Sequence, residues 1–84
     1  MVNYIPCYFC QRPATDIHHI FQGAYKRKSE EHNFLASLCR ECHDRVHREK
    51  APRIHLRQLC QAEYEKVFTR EDFINEFGRS YLEE

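Results

Sequence analysis

The sequence predicts a small α+β domain stabilised by zinc, with a strand–loop–strand–helix core and helices toward its C-terminal end. Three observations lead there. The chain has 84 residues, too few to bury a large apolar core without help from metals or disulfides. Four of its five cysteines fall in two C-x-x-C pairs, Cys7-Tyr8-Phe9-Cys10 and Cys39-Arg40-Glu41-Cys42, a spacing that reads as metal binding rather than as a disulfide framework. Histidines cluster around the pairs: His18-His19 lies between them, and His43 and His47 follow the second.

Each element has a local reason. Residues 4–16 read as a zinc knuckle turning at Gln11-Arg12-Pro13. Residues 17–21 (Ile-His-His-Ile-Phe) are a short β-like run. Residues 22–33 read as a polar loop with Gly23 and the basic triplet Lys26-Arg27-Lys28. Residues 34–38 (Phe-Leu-Ala-Ser-Leu) make the second strand. A helix follows from about Arg40 to Glu49, stopped by Pro52. In residues 54–68, Leu56, Leu59, Cys60, Tyr64, Val67 and Phe68 recur at three- and four-residue spacings, the stripe of an amphipathic helix. Thr69 with Glu71 and Asp72 looks like a helix N-cap with acids in the first turn. Phe73, Ile74 and Phe77 would be the buried face of that last helix, and Gly78 its C-terminal cap. The division is therefore 1–52, the metal-bound core, and 53–84, a helical extension packed on it. The extension must fold back, because the first part has few apolar residues of its own.

The formal net charge is zero, which excludes a uniformly basic nucleic-acid binder. Its distribution is uneven. Residues 1–53 carry nine Lys/Arg against six Asp/Glu, and residues 54–84 carry four against seven. The two cysteine pairs and most of the histidines lie in the positive part, where a local patch can hold phosphates. No run is apolar enough to span a membrane. The opening Met1-Val2-Asn3-Tyr4-Ile5-Pro6 has neither the basic nor the apolar region of a secretory leader. A reducing cytoplasm is the expected setting.

Zinc takes four ligands in a tetrahedron, and Cys7, Cys10, Cys39 and Cys42 supply them. Such a site contributes on the order of 10 kcal/mol to the folding of a small module. The 28 residues between the pairs must form a structured excursion, which carries His18 and His19. Cys60 is left over and reads as a small apolar residue on the helix stripe. His43 and His47 stand one helical turn apart on one face, close enough to share a metal or simply to be two solvated histidines. Neighbours on a regular strand face opposite ways. Either the strand twists or bulges so that His18 and His19 serve one site, or only one of them acts. Asp16 shares a face with His18. It either holds the second ring nitrogen of His18 or is a turn residue. His32 and His55 have no evident partners and read as structural or exposed.

The order His18-His19, Asn33, His43, His47, with a C-x-x-C on each side, resembles the HNH nucleases and their ββα-metal, treble-clef-like fold. The resemblance covers about residues 7–47, with spacing close to that of the nuclease colicins. It implies that His18, His43 and His47 bind a catalytic divalent metal, that His19 is the general base, and that Asn33 holds the loop and orients His19. It also implies a structural zinc on the four cysteines. Residues 30–38 with their flanks, and the tail Glu71-Asp72-Phe73-Ile74-Asn75-Glu76-Phe77-Gly78-Arg79-Ser80-Tyr81-Leu82, also look like small HNH-type proteins of phages and prophages. The setting would then be a bacterial or phage-infected cell. In such proteins a glycine can stand at the position of Asn33, so Asn33 is either functional or a plain turn residue.

The implied reaction is hydrolysis of a DNA phosphodiester, with His19 activating water and leaving a 5′-phosphate and a 3′-hydroxyl. An all-imidazole site favours Zn²⁺, Ni²⁺ or Mn²⁺ on affinity over Mg²⁺. Lys26, Arg27, Lys28, Arg40, Arg45 and Arg48 are the candidate phosphate contacts. Nothing indicates base readout, so little sequence specificity is expected. The competing reading is a zinc module without catalysis that binds nucleic acid or a protein partner, as a phage accessory or anti-defence protein. Oligomeric state is not legible, although a dimer would make a two-strand cut easier.

Overall fold

A computed structural model describes residues 4–83; Met1, Val2 and Asn3, on which the reading of the leader partly rests, lie outside the described residues. The order is β1 (Asp16–His19), a 3-10 turn (Gly23–Tyr25), α1 (Lys26–Glu31), β2 (Leu35–Leu38), α2 (Arg40–Arg48), α3 (Lys50–Tyr64) and α4 (Arg70–Phe77). The two strands form one antiparallel sheet, with Asp16 opposite Leu38 and His19 opposite Leu35. The architecture is a small α+β fold of a two-stranded sheet and four helices. Among the described residues no helix is long and apolar enough to cross a membrane.

The knuckle precedes the sheet. A bridge joins Pro6 to Pro13, and the Cys7 amide donates to the Arg12 carbonyl at 2.7 Å. Gln11 takes the left-handed conformation (φ 69°) that reverses the chain. The Tyr8 amide donates to the Ser37 carbonyl at 2.9 Å and the Thr15 amide to the Leu38 carbonyl at 3.0 Å. These bonds lay the knuckle along β2.

Three sequence expectations change. The polar loop 22–33 contains α1, a helix anchored by Ser29, whose buried hydroxyl accepts from the Phe21 amide and donates to the Phe21 carbonyl, both at 2.9 Å. Its short, charged sequence has no apolar stripe to announce it. Pro52 does not stop α2. Glu49 is extended (φ −110°, ψ 133°) and serves as C-cap of α2 and N-cap of α3. Pro52 then lies in the first turn of α3, where its missing N–H costs no hydrogen bond. The boundary drawn at 52/53 falls inside that helix. The stripe expected through Phe68 is shorter: α3 ends at Tyr64, so Leu56, Cys60 and Tyr64 are buried while Val67 is 78% exposed and Leu59 and Phe68 are also exposed.

The extension packs on the sheet through aromatic rings. Phe21, two residues after β1, lies 4.5 Å from Phe77 and 5.7 Å from Phe73, centroid to centroid. Phe34, Tyr64 and Tyr81 complete the cluster. Phe73 and Phe77 are buried as expected, whereas Ile74 is exposed. The Thr69–Asp72 capping box starts α4, and Gly78 ends it in the left-handed conformation at φ 93°. A Cβ at Gly78 would stand 2.5 Å from the Tyr25 hydroxyl. Gln61 is fully buried among these groups. Its amide nitrogen donates to Glu65 and Ser80 and its carbonyl accepts from the Tyr81 amide at 2.7 Å, so the chain after α4 is tied to α3.

His32 has a partner that the sequence did not reveal. Its ring stacks on Phe34 and its Nε2 lies 2.6 Å from Glu76, which also accepts from the Tyr64 hydroxyl at 2.7 Å. Burial opposes ionisation of Glu76, but the bonds from His32 and Tyr64 outweigh it and hold the carboxyl below its usual range. A depressed carboxyl contributes stability above the unfolded value of about 4.3, and that contribution is lost as pH falls through the folded value. Glu76→Gln is therefore expected to cost about 1–3 kcal/mol at pH 7, with the gap to wild type closing below about pH 4. Parallel urea unfolding of the two proteins across pH checks this, because metal loss common to both cancels in the difference.

Candidate functional site

Two donor clusters share α2. In the first, the knuckle brings Cys7 and Cys10 to Cys39, the N-cap of α2, and Cys42 in its first turn. The four sulfurs lie within 4.8 Å of one another. Cys10 Sγ and Cys39 Sγ are 3.6 Å apart, close to the edge of about 3.8 Å for a tetrahedron of zinc–sulfur bonds near 2.3 Å. None is in a disulfide. Burial opposes ionisation of Cys7, but backbone hydrogen bonds from Cys10, Cys39 and Phe9 bring its thiol down to about 6. Burial, with the neighbouring Cys39, Cys7 and Cys10, pushes Cys42 up to about 12. Soft thiolate donors in this number and geometry fit zinc. Arg12 supports the cluster from outside: its Nε lies 3.5 Å from Cys10 Sγ, and its other end pairs with Glu41 at 3.0 Å. Arg12 is the main cause of the lowered Cys10 thiol.

The second cluster joins β1 to α2. Ring nitrogens of His18, His43 and His47 lie within 4.8 Å of one another, an arrangement that could hold a metal ion. Nε2 of His47 and Nε2 of His43 are 3.3 Å apart, close to the edge of about 3.4 Å for a tetrahedron of bonds of 2.0–2.1 Å. The i, i+4 spacing on α2 produces this pair as expected. His18 is 2% exposed. Burial first, then the neighbouring His43 and His47, depress its pKa to about 4, so its imidazole is neutral and has a lone pair to donate.

Asp16 belongs to this site, but its partner differs from the expected one. Its Oδ2 accepts from His43 Nδ1 at 2.8 Å and forms an ion pair with the Arg40 guanidinium, whose Nε lies 3.3 Å away. Asp16 pairs across the sheet with Leu38, just before α2 begins, which brings it to the first turn of that helix. The His43 bond is the main cause of the lowered Asp16 carboxyl. With Nδ1–H given to Asp16, a neutral His43 keeps the lone pair of Nε2 for the cluster. The Nδ1 of His18 lies instead 3.4 Å from the Gln22 carboxamide, a contact with no sequence signal.

The tension between His18 and His19 resolves without a bulge. The register continues unbroken to His19 opposite Leu35. The strand ends there, and both histidines line one shallow cleft of about 330 Å³, with Ile17, Gln22, Gly23, Lys26 and His43. His19 Nε2 is 3.0 Å from Glu30 Oε1 on α1. Asn33 takes the left-handed conformation (φ 58°) that closes α1 and returns the chain to β2. The side chain that accepts a hydrogen bond from the His19 ring is that of Glu30.

The basic residues separate. Lys26 lines the cleft, and Arg48 borders a surface hollow with His47. Arg27 is exposed on α1. Lys28 turns toward α4, 3.8 Å from Glu76, and Arg45 pairs with Glu49 at 3.2 Å. His55 reaches the Tyr8 hydroxyl at 3.4 Å. Cys60, on α3, belongs to neither donor cluster, and burial pushes its thiol up to about 12.

Comparison with protein families, curated proteins and solved structures finds no match to the chain.

Metal analysis separates the two clusters. Cys39→Ser is expected to lose tightly held zinc and most of the folded state. His43→Ala and Cys60→Ala are expected to keep one zinc per chain, measured by chromophoric chelation after thiol blocking together with thermal melting.

Proposed function

We propose that this protein is a metal-dependent endonuclease of the HNH type that hydrolyses DNA phosphodiester bonds. The observation that carries the reading is the convergence of the ring nitrogens of His18, His43 and His47, with a fourth imidazole, His19, in the open cleft that His18 and His43 line. Under this reading β1, β2 and α2 are the ββα-metal unit, and the cysteine cluster is its structural zinc. A non-catalytic module has no need of the fourth histidine.

His18, His43 and His47 would hold a divalent cation, with Asp16 fixing the ring of His43. When bound, that cation supplies Lewis acidity at a phosphate oxygen. Three imidazoles favour Zn²⁺, Ni²⁺ or Mn²⁺ over Mg²⁺. His19 accepts a proton from water as the water oxygen attacks phosphorus. The bond from phosphorus to the 3′ oxygen breaks, and that oxygen takes up a proton from solvent, leaving a 5′-phosphate and a 3′-hydroxyl. Lys26, at the cleft, and Arg48, beside His47, would steady the flanking phosphates. The positive balance of residues 1–53 brings the DNA to this side of a neutral molecule.

Plasmid cleavage scanned across Mg²⁺, Mn²⁺, Ni²⁺ and Zn²⁺ tests the proposal. Wild type is expected to nick, best with the transition metals. His19→Ala, matched for zinc content, is expected to lose about 10²–10⁴ in rate. If wild type cuts under none of the metals, the cleft serves a binding module and the nuclease reading falls.

A further inference from the structure

The helix inserted between the strands carries a residue that the reading above does not use. We infer that Glu30 is a positioning residue for His19, fixing the orientation and tautomer of its ring; the catalytic consequence rests on the nuclease reading. Glu30 Oε1 lies 3.0 Å from His19 Nε2. A carboxylate only accepts hydrogen bonds, so the neutral imidazole bonded to it carries its proton on Nε2. Nδ1 is then left with the free lone pair, the form in which it can take a proton from water.

The placement of Glu30 is built into the backbone. Its neighbour Ser29 clamps both polar groups of Phe21, two residues beyond His19. The Phe34 amide donates to the Ser29 carbonyl at 2.7 Å, the Asn33 amide to the Glu30 carbonyl at 3.2 Å, and the Ile20 amide to the Phe34 carbonyl at 3.1 Å. Residues 19–34 thus form a closed loop in which Glu30 is presented to His19. The left-handed Asn33 makes the closure possible. Asn33 therefore acts on His19 through the loop, and Glu30 acts on it directly.

The energetics favour a positioning role over a structural one. The side chain of Glu30 is 58% exposed and that of His19 is 23% exposed. A pair this wet contributes little to stability, so Glu30 variants should fold.

The test compares wild type with Glu30→Ala, Glu30→Gln and Glu30→Asp, each zinc-loaded. One readout is kcat and KM for cleavage of a short duplex DNA in Mn²⁺. The other is ¹⁵N NMR of the His19 ring at a pH where the imidazole is neutral. Glu30→Ala is expected to lower kcat about 10- to 100-fold with KM unchanged, and Glu30→Asp to restore part of it. Wild type should show the Nε2–H tautomer, and Glu30→Ala a mixture. An unchanged tautomer in Glu30→Ala overturns the inference, as does a rise in KM with kcat intact. If wild type cuts no DNA, the nuclease reading fails by itself. The tautomer then decides the positioning role: loss of Nε2–H in Glu30→Ala supports it, and retention overturns it.

Discussion

The N-terminal half depends on the convergence of four thiols from two distant turns. Cys7 and Cys10 must meet Cys39 and Cys42 across 28 intervening residues, and closing a loop of that length carries an entropic cost that weak contacts alone would not offset. Once the cysteines meet, much else is fixed. The knuckle lies along β2 through the Tyr8–Ser37 bond. The first turn of α2 is pinned at Cys39 and Cys42. The chain between the pairs must leave and return within a few ångströms, which a hairpin of β1 and β2 does with little excess length.

The aromatic cluster provides the second anchor. Phe21 follows the histidines of β1 by two residues and is buried against Phe73 and Phe77 of α4. The far end of the hairpin is therefore held by the C-terminal helices, as its near end is held by the cysteines. Arg57 of α3 adds a direct bond, its Nε donating to the Ile20 carbonyl at 3.2 Å. The cleft histidines sit between two fixed points, and the short sheet does not need to be rigid by itself.

What was legible in the sequence follows from how each feature is encoded. Cysteine spacing encodes the four-thiol cluster directly, and the i, i+4 histidines encode a shared helix face. Thr69, Asp72 and Gly78 encode the ends of α4 through capping chemistry, and all three behave as read. The features missed are set by tertiary contact. α1 is held by one buried serine rather than by an apolar stripe. Pro52 reads as a stop from one side and as a first-turn residue from the other, and only the extended Glu49 decides between them. The partners Asp16–His43, Gln22–His18, His19–Glu30 and His32–Glu76 depend on register and packing that no spacing rule reaches. The alternation of β1 was read correctly, but it did not show that the strand would stop at His19 and let both rings border one cleft.

The placement of both donor clusters on α2 links structure to chemistry. Cys42 and His43 are adjacent, so the helix that closes the thiol cluster also carries two of the three imidazoles. A side chain one residue along an α-helix is rotated by about 100°, and a second one a full turn later at His47 lies above it. Fixing Cys39 and Cys42 therefore fixes both the rotation and the height of α2, and with them the direction in which His43 and His47 point. His18 comes from a different element, and its distance to them is set by the pairing of β1 with β2, which the same cysteines hold in register. The geometry of the imidazole cluster is thus inherited from the thiol cluster. Asp16 reinforces the link through an ion pair with Arg40, between Cys39 and Cys42, and a hydrogen bond from His43, just beyond them. In a chain this small one helix carries both the thiol cluster and two of the three clustered imidazoles, and a displacement of either cluster would be felt by the other.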